Sequence, residues 1–130
     1  MSYQLNVSEE EVKGKGKYKN AAGYTECVVF VQKAAGAQHT STWRPGLKIS
    51  EAQAGQIPRG TAIATFDSNG RYPTDGRGRH AAIYLENNSQ RIVVLDQWND
   101  QGEVRQRMIW FHGKPGTSRS NDANAYYVIK

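Results

Sequence analysis

The chain has 130 residues, the size of one ordinary domain, with enough length to bury a real core and no internal repeat or long linker, so residues 1–130 are expected to fold as one unit. No long apolar run exists, which excludes a membrane-inserted helix; 13 glycines point away from a helical bundle, and a single cysteine excludes an intramolecular disulfide and leaves one thiol free for chemistry. Seventeen Lys and Arg against 12 Asp and Glu give a net charge of +5, which favours an anionic partner: nucleic acid, a lipid surface or a cell-wall polymer.

Residues 1–11 lack a basic segment followed by an apolar one, so no classical signal peptide is expected and export would need another route. Ser8-Glu9-Glu10-Glu11 can cap a short helical turn. Lys13, Lys15, Lys17 and Lys19 alternate through an irregular stretch that reads as a solvated loop, with a binding patch as the alternative. A helix follows, with Thr25 as its expected N-cap and Cys27 in its first turn. It runs to about Ala35, where Gly36 is the stop signal. Val28, Val31 and Ala35 share one face, with Cys27, Phe30 and Ala34 beside them.

Residues 37–60 read as mostly irregular. Strands are expected at 61–66, 80–85, 91–96, 104–111 and 126–129, with turns at Asn87-Asn88 and Asp100-Gln101-Gly102. The 67–78 loop, with three glycines and Pro73, leads into His80 and could border a site. A helix followed by an antiparallel meander is an α+β arrangement.

Cys27 is the residue of greatest chemical interest. Free backbone N–H groups and the positive end of the helix dipole favour a thiolate in a first turn. That effect, about 1 kcal/mol at an exposed helix end, brings a thiol pKa of ~8.5 only to about 8. A catalytic Cys27 therefore demands a histidine in contact; without one it is a small buried hydrophobe on an amphipathic helix. His39 lies in a polar loop and His112 follows a strand end, both surface positions. His80 opens a strand whose small Ala81 and Ala82 leave room for a helix to approach.

A third group should orient the imidazole and fix its tautomer. Asp96 and Gln97 end the 91–96 strand and point to opposite faces. A carboxylate stabilises an imidazolium better than an amide, which favours Asp96. A two-residue Asn87-Asn88 turn would instead put Gln97 on the histidine face, and a single bulge would reverse that. Both stay open, with Asp96 preferred. Trp98 either shields a buried hydrogen bond or belongs to the core; Trp43 either lines a substrate groove or packs. One cysteine and three scattered histidines show no metal-ligand spacing, and no phosphate-binding glycine loop is present, so no metal or cofactor is expected.

The segments Glu26-Cys27-Val28-Val29-Phe30-Val31-Gln32, Pro58-Arg59-Gly60-Thr61-Ala62-Ile63-Ala64-Thr65-Phe66, His80-Ala81-Ala82-Ile83-Tyr84-Leu85 and Val94-Leu95-Asp96-Gln97-Trp98 resemble the papain-like NlpC and CHAP cysteine peptidases that act on peptidoglycan. The order is theirs: cysteine helix, first strand, histidine strand, polar third residue. Many such enzymes carry an aspartate where this chain has Thr61. A papain-type Asn-Ser-Trp template maps Asp96 onto the asparagine; a CHAP-type Glu-x-Asn-Trp template maps Gln97 onto it.

The whole chain resembles the small amidases delivered by type VI secretion. That resemblance implies a papain-like α+β fold with the cysteine helix packed on an antiparallel sheet. It implies a cysteine amidase that cuts peptide stems of peptidoglycan, with Cys27, His80 and Asp96 (or Gln97) catalytic and Trp43 and Trp98 at the substrate. It also implies export to a target cell's periplasm and an immunity protein that blocks the cleft in the producer, with no nucleic-acid partner. Two alternatives stand beside it: a phage-type lysin domain with the same chemistry, and a non-catalytic basic module that binds an anionic polymer through the lysine run.

Overall fold

The computed structural model describes residues 2–111 and 117–130. Its elements in chain order are β1 (Gly14–Lys15), α1 (Cys27–Ala35), β2 (Pro45–Lys48), β3 (Ala62–Thr65), β4 (Ala81–Asn87), β5 (Arg91–Asp96), β6 (Glu103–Trp110) and β7 (Tyr126–Ile129), joined by short 3-10 turns. The strands form one antiparallel sheet in the order β1-β6-β5-β4-β3-β7-β2, the α+β arrangement expected from the sequence. β3 to β6 run as a meander, but β7 departs from it and returns to the free edge of β3, where Ile63 pairs with Val128.

The 37–60 segment is more ordered than expected: β2 lies within it and pairs with β7, and Ile49 and Ile57 are buried from it. These residues carry no periodicity, so only the edge left open by β7 recruits them into the sheet. The lysine run remains exposed as expected, although Gly14–Lys15 within it pairs with β6.

α1 ends at Gly36, whose φ of 72° is the left-handed conformation that lets its N–H reach Gln32 O at 3.1 Å. Nine residues are too few for a helix to persist in water, so burial must hold it. Phe30, Val31, Ala34 and Ala35 supply that burial, packing on Ala62, Ala64, Ala81, Ile83 and Leu95 of the sheet. Each fully buried large apolar side chain contributes about 1.5–3 kcal/mol. The alanines facing the helix keep it close to the sheet. Ala82 turns to the opposite face, so of the expected alanine pair only Ala81 makes room for the helix. That opposite face carries a second core of Ile63, Tyr84, Ile92, Val94, Ile109 and Tyr126.

The β4–β5 hairpin contains an irregularity that shapes the site. Its turn lies two residues later than expected, with Ser89-Gln90 at the tip; Asn88 N–H donates to Arg91 O at 3.0 Å. Asn87 pairs with Ile92 and Glu86 with Val93, but Tyr84 pairs with Val94. Leu85 is therefore the extra residue of a β-bulge. Had the hairpin register continued unbroken, Ala82 would face Gln97. The bulge sets it opposite Asp96 instead, so Asp96 emerges on the face of Ala82 and His80.

Candidate active site

Cys27 is the first residue of α1, where its N–H has no carbonyl one turn back within the helix. The N-cap residue is Glu26, one position later than the expected Thr25, and no side chain caps the helix. Thr25 Oγ1 donates instead to Trp98 O at 3.2 Å. Gln97 is almost fully buried, and its Nε2 donates to Glu26 O and Tyr18 O, each at 2.9 Å. Gln97 thus faces away from the imidazole, which corrects its reading as the residue that orients His80. With Thr25 it ties the helix start to the end of β5.

His80 precedes β4 and is 5% exposed. The β3–β4 ladder stops there because the Thr65 hydroxyl takes the His80 N–H at 3.1 Å, while Thr65 N–H donates to His80 O at 3.0 Å. His80 Nε2 donates to Asp96 Oδ2 at 2.7 Å. A carboxylate can only accept, so the proton sits on Nε2 and Nδ1 is the ring nitrogen left for the thiol. Asp96 is fully buried, and the same oxygen accepts from Arg107 Nε at 2.6 Å. Its other oxygen has no hydrogen-bond partner among the described residues.

These contacts set the protonation states. Burial works to lower the His80 pKa, but hydrogen bonds and charge from Asp96 and Cys27 outweigh it and push it up to about 9. Burial works to raise the Cys27 thiol, yet His80, the Ala81 backbone and the Tyr72 hydroxyl together bring it below its ordinary value. Each partner favours the charged form of the other, the signature of a thiolate–imidazolium pair.

The thiol opens on a cleft of about 680 Å³. The 67–78 loop borders it as expected, supplying Arg71, Tyr72, Pro73 and Thr74. The Tyr72 hydroxyl lies 3.7 Å from Cys27 Sγ. Burial and the neighbouring sulfur raise the Tyr72 pKa, so its hydroxyl stays protonated and donates to a thiolate. Trp43 is fully buried and stacks edge-on against Tyr72 with ring centroids 5.1 Å apart. Its indole N–H donates to Gln38 O at 2.9 Å, so Trp43 backs the cleft wall and holds Tyr72. Trp98 is 38% exposed on the cleft, edge-on to His80 and under the Arg107 guanidinium. It lines the cleft and packs edge-on against the imidazole that bonds Asp96.

His39 is exposed at the rim, where its Nδ1 accepts from Ser41 N–H at 3.2 Å; His112 lies outside the described residues. Thr61 is buried, its hydroxyl donating to Pro58 O and accepting from Gln4 Nε2, a structural duty away from the cleft. Among the described residues no three His, Cys, Asp or Glu side chains are grouped to share a metal ion, and no helix is long and apolar enough to cross a membrane. Sequence reasoning missed Tyr72 and Arg107. Tyr72 sits in an aperiodic loop with no signal beyond its aromatic ring before Pro73. Arg107 was findable: a charge amid the 104–111 strand pattern, on the face of Asp96 once β5 and β6 are paired.

The profile of the family described as domesticated amidase effector 2 matches residues 2–129. A Salmonella typhi protein named type VI secretion amidase effector 2 is 34% identical over 122 residues, covering 86% of this chain and 90% of that protein. An Ixodes scapularis protein named domesticated amidase effector 2 is 31% identical over 116 residues, covering 87% of this chain and 77% of that one. A solved structure of a type 6 secretion amidase effector 2 superposes with a TM-score of 0.80 at 31% identity, covering 97% of this chain and 93% of that one.

Proposed function

Because the chain belongs to the domesticated amidase effector 2 family, we propose that it is a cysteine amidase that cleaves amide bonds in the peptide stems of peptidoglycan. The observation that carries this reading is the hydrogen bond of 2.7 Å between His80 and a buried Asp96, behind a cysteine whose pKa is lowered at a helix start in an open cleft.

The chemistry follows the charges. His80 Nδ1 takes the Cys27 proton, and Asp96 stabilises the imidazolium that results. The thiolate attacks the carbonyl carbon of the scissile amide. The oxyanion is met by the Cys27 N–H and the Tyr72 hydroxyl, both beside the sulfur. Collapse of the tetrahedral intermediate breaks the C–N bond, and imidazolium hands its proton to the departing amine. Water, deprotonated by His80, then attacks the thioester; it releases the carboxylic acid and returns the proton to the pair.

By the same reading the protein is a type VI secretion effector, the role named for the Salmonella relative, delivered into a target cell and held in check by an immunity protein. Purified sacculi test the activity. The wild type should release soluble fragments, and Cys27→Ala should reduce release by about 10⁴-fold or more while its circular dichroism is unchanged. Full release by the variant refutes Cys27 as nucleophile. Mass spectrometry of fragments from defined muropeptides identifies the bond.

A further inference from the structure

Three arginines line the cleft around the thiol: Arg44 before β2, and Arg71 and Arg79 from the segment that carries Tyr72. Five of the nine arginines, at 59, 91, 105, 107 and 119, pair with carboxylates. Of the other four, three are these cleft arginines; no carboxylate pairs with them among the described residues. Arg44 is oriented by its Nη1, which donates to Trp43 O at 2.7 Å and Ser41 O at 3.2 Å and leaves its other donors open. Arg79 adjoins His80 in the chain and lines the same cleft, where its charge opposes the rise in the Tyr72 pKa. The one carboxylate on the cleft wall among the described residues, Glu26, accepts from Asn20 Nδ2 at 3.3 Å.

The thiolate and imidazolium cancel each other, so among the described residues the cleft is left with three positive charges against one negative. Like charges gathered around one cavity repel, and the repulsion is relieved when an anion enters. A planar guanidinium with parallel N–H donors matches a carboxylate in two-point contact. We infer that Arg44, Arg71 and Arg79 select substrates by free carboxylates flanking the scissile amide, so that acidic stem peptides are cut and their carboxamide counterparts are rejected. This rests on the cysteine amidase reading above.

The test uses stem peptides with free carboxylates and the same peptides with those groups converted to carboxamides. Wild-type kcat/KM should favour the free acids by about 10- to 100-fold, carried mainly by KM. Arg71→Gln, Arg79→Gln and Arg44→Gln should each lower that preference by losing rate on the acids alone. Arg77→Gln, exposed and outside the cleft, should keep it. Equal cleavage of both peptides by the wild type, or variants that slow both equally, overturns the inference and leaves the amidase reading standing. Cleavage of neither peptide brings down both. Salt-sensitive binding to a polyphosphate that the three variants abolish, with peptide preference intact, also overturns it and assigns the arginines to a phosphate polymer.

Discussion

Asp96 and Gln97 are neighbours at the end of β5 and serve opposite sides of the sheet. On one side Asp96 gathers the buried His80 and the partly exposed Arg107, with Trp98 edge-on to the imidazole and against the guanidinium. On the other Gln97 holds Glu26 and Tyr18 through backbone carbonyls, and Thr25 adds a bond to Trp98 O. The first assembly sets the protonation of the imidazole; the second sets where the sulfur sits. The first is therefore sensitive to pH, and the second is not. A cysteine site needs both, because a charged pair acts only at contact distance.

Replacing Asp96 should separate the two most sharply. Asp96→Asn keeps the shape but loses the charge that holds His80 up at about 9. We expect kcat/KM to fall by about 10²- to 10⁴-fold and the alkaline limb of its pH profile to move down towards the ordinary histidine value of ~6.5. Stability should follow the same sign. A raised histidine pKa lends stability that is complete below ~6.5 and lost as pH rises through about 9, while the lowered Cys27 pKa contributes with the opposite sign; in a Cys27→Ala background, which removes the thiol's contribution, Tm should therefore drop across that window more with Asp96 than with Asn at that position. An unmoved alkaline limb would detach Asp96 from the imidazole.

Tyr72→Phe should cost less, about 10²-fold in kcat/KM, because one oxyanion donor and one hydrogen bond to the sulfur are removed while the ring keeps its place against Trp43. Its acid limb should shift upward, since the hydroxyl is one of the groups that lower the Cys27 pKa. Gln97→Leu should have the smallest effect on chemistry. It removes two hydrogen bonds and leaves Glu26 O and Tyr18 O to find other donors, at a cost of about 1–3 kcal/mol in denaturant unfolding. Its alkaline limb should stay near 9. A shifted limb in that variant would erase the contrast between the two residues.

The contrast also explains what could be read in advance. The α1 helix and five of the strands announce themselves because periodic apolar residues leave a pattern of local range. His80 was singled out by the small residues after it. The choice between Asp96 and Gln97 was not local, since one inserted residue at Leu85 decides which face each side chain takes. No turn rule foretells a bulge inside a strand. Thr25 has the chemistry of an N-cap, but a carbonyl at the end of β5 claims its hydroxyl. Tyr72 reaches the sulfur by loop closure alone, which leaves no trace in spacing.

The pairing of charge at Cys27 and His80 can be measured without any substrate, because Cys27 is the only thiol in the chain. The rate of iodoacetamide alkylation should be followed from pH 5 to 10 in the wild type and in His80→Gln. The pair predicts rapid alkylation of the wild type well below the ordinary thiol range, and a profile for His80→Gln that returns to or above that range. Coincident profiles with half-maximal reactivity at the ordinary thiol value would contradict it.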